Sequence, residues 1–321
     1  GDFAAAKAKR ALGSREENSD TFTSSFGGEF DLGPSWLRVE GSYTQANKRD
    51  PHRDEIIFAA KKMTGSYDLS GSIPLYQSDP PAFDPTQYKF DETSYEHRRA
   101  REDLYQARAD FRTPIGIGDD STIQIGTKYT QRRKTNDEES VIYGGYDDDF
   151  TLDQVEGAPI DSIFKGRYPF GATISRPSTD SFFQSNLPGF ELDRKMRNTL
   201  RYTLSNLAGF ELDEEGTVGD SLAGGYLIRE KIFAAYAMAT LKFGTFTAIP
   251  GVRMERTKSN YAAKDILDTT TVADLGKDYD SFGSQSYTDF FPGLNLRWNA
   301  TPSLVLRAAV TRAIGRANYE Q

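Results

Sequence analysis

Cysteine is absent from this chain, and histidine occurs only twice, at His52 and His97. Without cysteine there is no disulfide framework, thiolate zinc site or cysteine nucleophile. With two isolated histidines, imidazole-based metal binding or acid–base catalysis is poorly supplied. No stretch approaches the roughly 20 apolar residues that a membrane-spanning helix needs. Cations are outnumbered, 39 Lys and Arg against 47 Asp and Glu, a formal charge of −8 that repels a phosphate backbone and argues against a nucleic-acid partner. No nucleophile elbow, P-loop, dinucleotide fingerprint or histidine zinc motif is present, which points away from an enzyme and implies no cofactor. The first residues, Gly1-Asp2-Phe3-Ala4, lack the basic start and apolar run of a targeting segment. What the chain does have is aromatic: 17 Tyr and 21 Phe in 321 residues, too many for a disordered, solvating polymer.

Its regular segments alternate with period two. Leu37, Val39, Gly41 and Tyr43 are set against Arg38, Glu40, Ser42 and Thr44. Tyr105, Ala107, Ala109 and Phe111 are set against Gln106, Arg108, Asp110 and Arg112. Successive side chains of a strand point to opposite faces, so each run has an apolar and a polar side. This spacing predicts eight strands, at about 19–31, 36–48, 102–113, 122–134, 226–243, 246–259, 286–298 and 303–315. Most are about 12 residues long, against about 5–6 in soluble sheets and about 9–11 needed to cross a bilayer obliquely. Short turns (Leu32 to Ser35, Pro114 to Ser121, Gly244-Thr245, Asn299 to Pro302) alternate with long connections at about 49–101, 135–225 and 260–285. A membrane meander has this arrangement, with tight turns inside and long loops outside.

A soluble two-layer sandwich also alternates. Strand length, the mixture of small and large apolar residues, and Tyr43, Phe111, Tyr129 and Trp298 near predicted strand ends favour lipid as the apolar covering. The expected fold class is therefore all-β, a segment of an antiparallel transmembrane β-barrel. Four turns and three long loops put both chain ends on the outer side, which suits a central slice of a larger barrel. Arg108, Asp110, Arg253, Glu255, Arg297 and Arg307 are then expected on the lumen wall, as are Arg38, Glu40, Arg112 and Lys128.

Four segments carry a resemblance. They are Arg229 to Thr240, Pro250 to Thr257, Tyr287 to Trp298, and Leu306 through Arg312 to Gln321, in which Arg316 is followed by Ala317 where Arg-Pro is usual. In this order they resemble the barrel of TonB-dependent outer-membrane receptors, most closely the subgroup of Caulobacter- and Xanthomonas-like bacteria. The resemblance implies a barrel of roughly 22 strands, of which the chain matches about a third. The plug domain, TonB-contacting box and final strands are not seen. It implies the outer membrane of a Gram-negative cell, lipid and the TonB complex as partners (the latter through the plug domain), and uptake of a bulky nutrient. The subgroup points to an oligosaccharide, with a ferric siderophore as the alternative. A secreted carbohydrate-binding or adhesion module and a secreted hydrolase remain as readings of other classes.

Ligand capture would fall to the long loops. Tyr143, Tyr146, Phe150, Arg167, Tyr168 and Arg176 are the candidate ligand-binding residues, since aromatic faces and charged hydrogen-bonding groups suit sugars or aromatic chelates. The alternative is a folded loop with its own small core. Asp147, Asp149, Asp153 and Glu156 lack calcium-loop spacing and read as a solvated acidic stretch, so no metal site is expected. His52 and His97 read as solvated loop residues, Pro80-Pro81 and Asp84-Pro85 as an extended external segment, 194–207 as a short helix, and the echo of Gly189 to Asp193 in Gly209 to Asp213 as chance or a local duplication.

Overall fold

The computed structural model describes residues 1–146, 149–186, 209–267, 270–275 and 278–315. One antiparallel meander dominates it. Its strands are β1 (Asp2–Leu32), β2 (Ser35–Asp68), β4 (Lys89–Pro114), β5 (Thr122–Tyr146), β9 (Tyr226–Phe243), β10 (Phe246–Ala263), β11 (Ser281–Thr301) and β12 (Leu304–Thr311). They pair in that order, with β1 and β12 at the margins. The short β3 (Leu75–Ser78) adds to β2, and β8 (Phe210–Leu212) adds to β5. A separate hairpin joins β6 (Glu156–Ile163) to β7 (Tyr168–Ile174), followed by α1 (Arg176–Asn186); α2 (Glu214–Ala223) precedes β9.

All eight expected strands are present, but several are far longer than expected: β1, β2, β4 and β5 run for 31, 34, 26 and 25 residues. Residues 49–68 and 89–101 of the segment 49–101, and residues 135–146 of the segment 135–225, are therefore hairpin leg, not loop. The ladder continues past the apolar zone because backbone groups pair wherever a partner strand follows them, whatever the side chains are. Tyr43, Tyr129 and Trp298 consequently lie within strands, at the edges of the apolar zone, while Phe111 falls in its central row. The last strand ends at Thr311, short of the expected 315. The expected helix at 194–207, the first copy of the echo, and the motif from Arg316 onward lie outside the described residues. The second copy forms β8 and, with Asp213, the N-cap of α2. Pro80-Pro81 and Pro85 open two tight 3₁₀ turns over a buried Ala82, in place of an extended segment.

Register assigns each side chain to a face. The row Leu37–Phe111–Ile125–Ala237–Val252–Pro292 is apolar throughout. Above it run Tyr43–Tyr105 and Tyr129–Phe233, and below it Phe243–Phe246–Trp298–Leu306. From Phe290 to Trp298 this band spans about 27 Å of strand, or roughly 21 Å of height at a 40° tilt, close to the ~25 Å apolar belt of outer-membrane barrels. The opposite face carries the row Glu29–Arg38–Asp110–Gly126–Tyr236–Arg253. Asp110, Glu230, Ala234, Thr257 and Ser259 are buried on that face, while Phe233, Val252 and Phe290 on the other are exposed. The sheet therefore curls toward its polar side, the reverse of a sandwich, whose apolar face turns inward.

Inner turns are tied together. The 115–121 turn docks on β9: the Asp119 N–H donates to the Lys242 carbonyl (2.7 Å), the Lys242 N–H to Ser121 Oγ (2.9 Å) and the Gly244 N–H to Asp119 Oδ2 (2.7 Å). Gly118 sits at φ +60° with no room for a Cβ, which would run into the Lys242 carbonyl oxygen. Gly118→Ala is expected to cost about 3 kcal/mol, combining left-handed strain with overpacking. Urea unfolding checks this; an unchanged midpoint would show that the turn floats free.

Candidate functional site

Above the apolar band the hairpin legs and their connections fold into a cap. Its core is aromatic. Phe58 of β2 meets Phe90 of β4 edge-on (ring centroids 6.1 Å) and Phe150 (5.1 Å), while Phe182 of α1 stacks on Phe150 at 3.6 Å. Phe210 of β8 closes the group against Phe90 and Tyr146. Arg10 on β1 lies over the rings of Tyr88 and Phe170 and donates to the Phe170 carbonyl at 2.6 Å, fastening β7 to the sheet. Where β9 has not yet begun, α2 covers the edge of β5. Thr217 and Ser221 accept the Ile142 and Ser140 N–H groups at 2.9 Å each, so this edge is sealed rather than left as a template for pairing.

The candidate ligand residues are divided by this packing. Tyr143 and Phe150, each 2 % exposed, belong to the cap core, and Tyr146 packs against it. The rings of Tyr143 and Phe150 are thus enclosed, and half-buried Tyr146 packs on Phe150, Phe182 and Phe210, which is the arrangement of a folded loop with its own small core. Arg176 pairs with Asp54 and, at 2.8 Å, with Asp180, so it pins α1 to β2. Tyr168 donates its hydroxyl to the Pro74 carbonyl. Arg167 remains exposed in the β6–β7 turn, where Phe164 is 75 % exposed and meets Tyr168 edge-on at 5.9 Å. His52 and His97 are not in loops. They lie on β2 and β4 with ring centroids 6.2 Å apart, and His97 helps line a cavity of about 140 Å³ with Arg49, Asp50, Arg98 and Glu139. Asp149 pairs with Lys89 at 2.6 Å, while Asp153 accepts the Thr151 hydroxyl at 2.5 Å; Asp147 lies outside the described residues.

Burial and charge shift the titration of the cap. Desolvation pushes the Tyr95 phenol up to about 12. Desolvation also raises Glu96, against the pull of Arg53 at 2.7 Å. Asp91 loses solvation too, but the Lys7 ammonium at 2.8 Å and Lys9 at 3.4 Å outweigh this and hold it below the usual carboxylate range.

On the polar face four of the named lumen residues form ion pairs, Arg108 with Asp110 and Arg253 with Glu255. Arg108, 45 % exposed, reaches Asp110, 1 % exposed, at 2.5 Å. Asp110 also accepts the Tyr236 hydroxyl at 2.5 Å, and Tyr236 accepts from Gln124 at 2.7 Å. Gly126 lies between them in register, and its missing side chain leaves the space in which Tyr236 and Asp110 meet. Arg253 donates to Glu255 at 2.7 Å. Higher up, Arg132 contacts Glu102 at 3.2 Å and Glu230 at 3.8 Å. Arg297 donates to Asn299 at 3.1 Å and stands directly opposite Arg307 on β12. Tyr236, Gln124 and Glu230 were missed as lumen candidates, although their even parity on the 122–134 and 226–243 runs places them on this face.

The geometry, then, is a curved sheet wall with an oily outside, a charged hydrogen-bonded inside, tight turns at one end and a folded cap at the other. A family model described as TonB dependent receptor-like, beta-barrel matches residues 43–321. Among solved structures, the crystal structure of ferric citrate transporter FecA in the unliganded form is similar at 12 % identity and a TM-score of 0.29, covering 94 % of this chain. The match spans 43 % of that protein's chain. No curated protein matches. With the matched region covering most of its length, the chain belongs to the TonB-dependent receptor-like β-barrel family.

Proposed function

We propose that this chain is part of the wall and external cap of an outer-membrane receptor in a Gram-negative cell, importing a bulky nutrient with energy delivered through TonB. The observation that carries this is the apolar band. It runs without a break across neighbouring strands, has aromatic rims, and lies back to back with a polar wall. A soluble sandwich or adhesion module would bury that band; here it is the exposed side. Family membership supports transport over catalysis. Coupling to TonB is assigned to a plug domain elsewhere in the polypeptide, and the Caulobacter- and Xanthomonas-like subgroup is the proposed lineage.

Capture is proposed at the β6–β7 turn, where Phe164, Arg167 and Tyr168 combine an accessible ring, a guanidinium and a second ring. Rings with a charged donor suit a sugar, so the cargo we favour is an oligosaccharide; a ferric siderophore is the competing cargo. Passage inward would follow Arg108, Asp110, Arg253, Glu255, Arg297 and Arg307. Growth and uptake by cells with and without the full-length receptor test this. Uptake of a glycan that requires the receptor and is indifferent to iron supply is the expected result. Uptake that appears only on iron starvation would replace the oligosaccharide with a ferric chelate.

A further inference from the structure

We propose that His52 and His97 together form a binding site for a borderline divalent metal ion of the Zn²⁺ type, on the hairpin legs β2 and β4. The two histidines are 45 residues apart in sequence, and the chain has no others. In the fold their ring centroids are 6.2 Å apart. A residue has on the order of ten neighbours in a packed fold, so chance would bring two given residues of so long a chain together in roughly 3 % of cases. A bulge makes the pairing. Below it Asp50 is opposite Arg98, and above it Arg53 is opposite Glu96, a shift of one residue. Had the lower register continued, His52 would face Glu96. One step on from Arg53 and Glu96, the upper register sets it against His97. Pro51, which has no N–H to give the ladder, sits at this bulge. The row continues on both sides: Glu16 of β1 is opposite His52, and Glu139 of β5 is opposite His97. His97 is eight residues beyond Tyr105 of the upper rim, about 27 Å along the strand, so the row stands clear of the apolar band and does not depend on the membrane reading.

Metal–nitrogen bonds of about 2.0–2.1 Å put two imidazole centroids on one ion roughly 5–6.5 Å apart, which includes the observed spacing. Among the described residues no group of three or more His, Asp or Glu side chains is placed to hold an ion, so the protein supplies two nitrogens and leaves the other positions to water. The cavity of about 140 Å³ beside His97 gives that water room. Asp50 lines it and is 1 % exposed; Oδ2 accepts from Arg15 at 2.8 Å, whereas Oδ1 is buried without a hydrogen-bond partner. Asp103, lower on β4, has both oxygens occupied, by two bonds from Arg101 at 2.9 Å each and the Tyr43 hydroxyl at 2.8 Å. A metal-held water is a strong donor and suits the open oxygen of Asp50. Arg49, Arg98 and Arg99 line the same cavity against Asp50, Asp137 and Glu139, so charge alone offers a hard cation little attraction. Imidazole suits Zn²⁺, Cu²⁺ and Ni²⁺, whereas Ca²⁺ seeks a set of oxygens. Bound here, the ion ties β2 to β4 where their ladder is interrupted.

The test uses the full-length polypeptide without a polyhistidine tag, titrated with Zn²⁺ and, in parallel, with Ca²⁺. His52→Gln and His97→Gln should each weaken Zn²⁺ binding at least about tenfold, because even a group that only orients a ligating histidine is worth about 10–100-fold. Electron paramagnetic resonance of the Cu²⁺-loaded protein should show coupling to two nitrogens, and the double variant should lose it. His52 is exposed, so His52→Gln leaves packing untouched. Should His97→Gln fail to fold, the wild type decides. Zn²⁺ should shield both histidines from diethyl pyrocarbonate, read residue by residue by peptide mass spectrometry, and Ca²⁺ should shield neither. Zn²⁺ affinity unchanged in the variants, a copper spectrum that the double variant leaves intact, Ca²⁺ bound as tightly as Zn²⁺, or histidines modified at the same rate with and without Zn²⁺ would each overturn the proposal. Nutrient uptake is a separate readout: a receptor that imports its cargo but fails these measurements keeps the proposed function and loses only the metal site.

Discussion

Placing an arginine at Ala237 is expected to destabilise the protein by about 2–4 kcal/mol, the cost of a cation at the bilayer midplane on the lipid side of a barrel strand. Ala237 lies between Ile125 and Val252 in the apolar row, several residues from either aromatic rim. Its counterpart is Asn295 on β11, three residues along the strand from Pro292 of that row and within the height of the band, but on the polar face with Arg253 and Arg297, so Asn295→Arg should be nearly neutral. Unfolding titrations of both variants in lipid vesicles make the comparison. Equal costs would mean that the two faces meet the same solvent, and the assignment of lipid and lumen sides would fall.

Removing the ring of Phe58 should loosen the cap by about 3–5 kcal/mol, the range for Phe→Ala in a packed core. Phe58 is fully buried and bridges Phe90 and Phe150, so its loss opens a hole between strand legs and loop. The expected signature is local. Proteolysis in the connection between β5 and β9 should accelerate, and hydrogen exchange should rise at β8 and α1. The ladder at the height of Ala237 should keep its protection, because it shares no side-chain contact with this cluster. Cleavage unchanged from wild type would show that the aromatic group does not hold the cap. The candidate roles of Tyr143 and Phe150 in ligand capture would then be open again.

How much was legible follows from what alternation measures. Near the bilayer, one face must be oily and the other wet, so a period-two pattern is enforced and the eight strand positions could be read directly. Above it both faces are wet or both are covered. In Arg49-Asp50-Pro51-His52-Arg53-Asp54 there is no contrast to detect, although β2 runs straight through, interrupted by a register shift between Asp50 and Arg53. The same loss of contrast made His52 and His97 look like loop residues. Parity placed Asp110 and Arg253 on the lumen wall. It could not show that Asp110 meets Tyr236, 126 residues away, across a gap left by Gly126.

Composition and alternation by themselves determined the class of fold, the order of its strands and which face is oily. Those properties depend on each residue's own polarity and on the pleat, which are local. Whether an aromatic ring is platform or core, how far each ladder extends, and which charges neutralise one another were decided only by the tertiary structure. The reason is that a ring at Phe150 or a carboxylate at Asp103 acquires its role from partners brought from other strands, and register alone says which partners arrive.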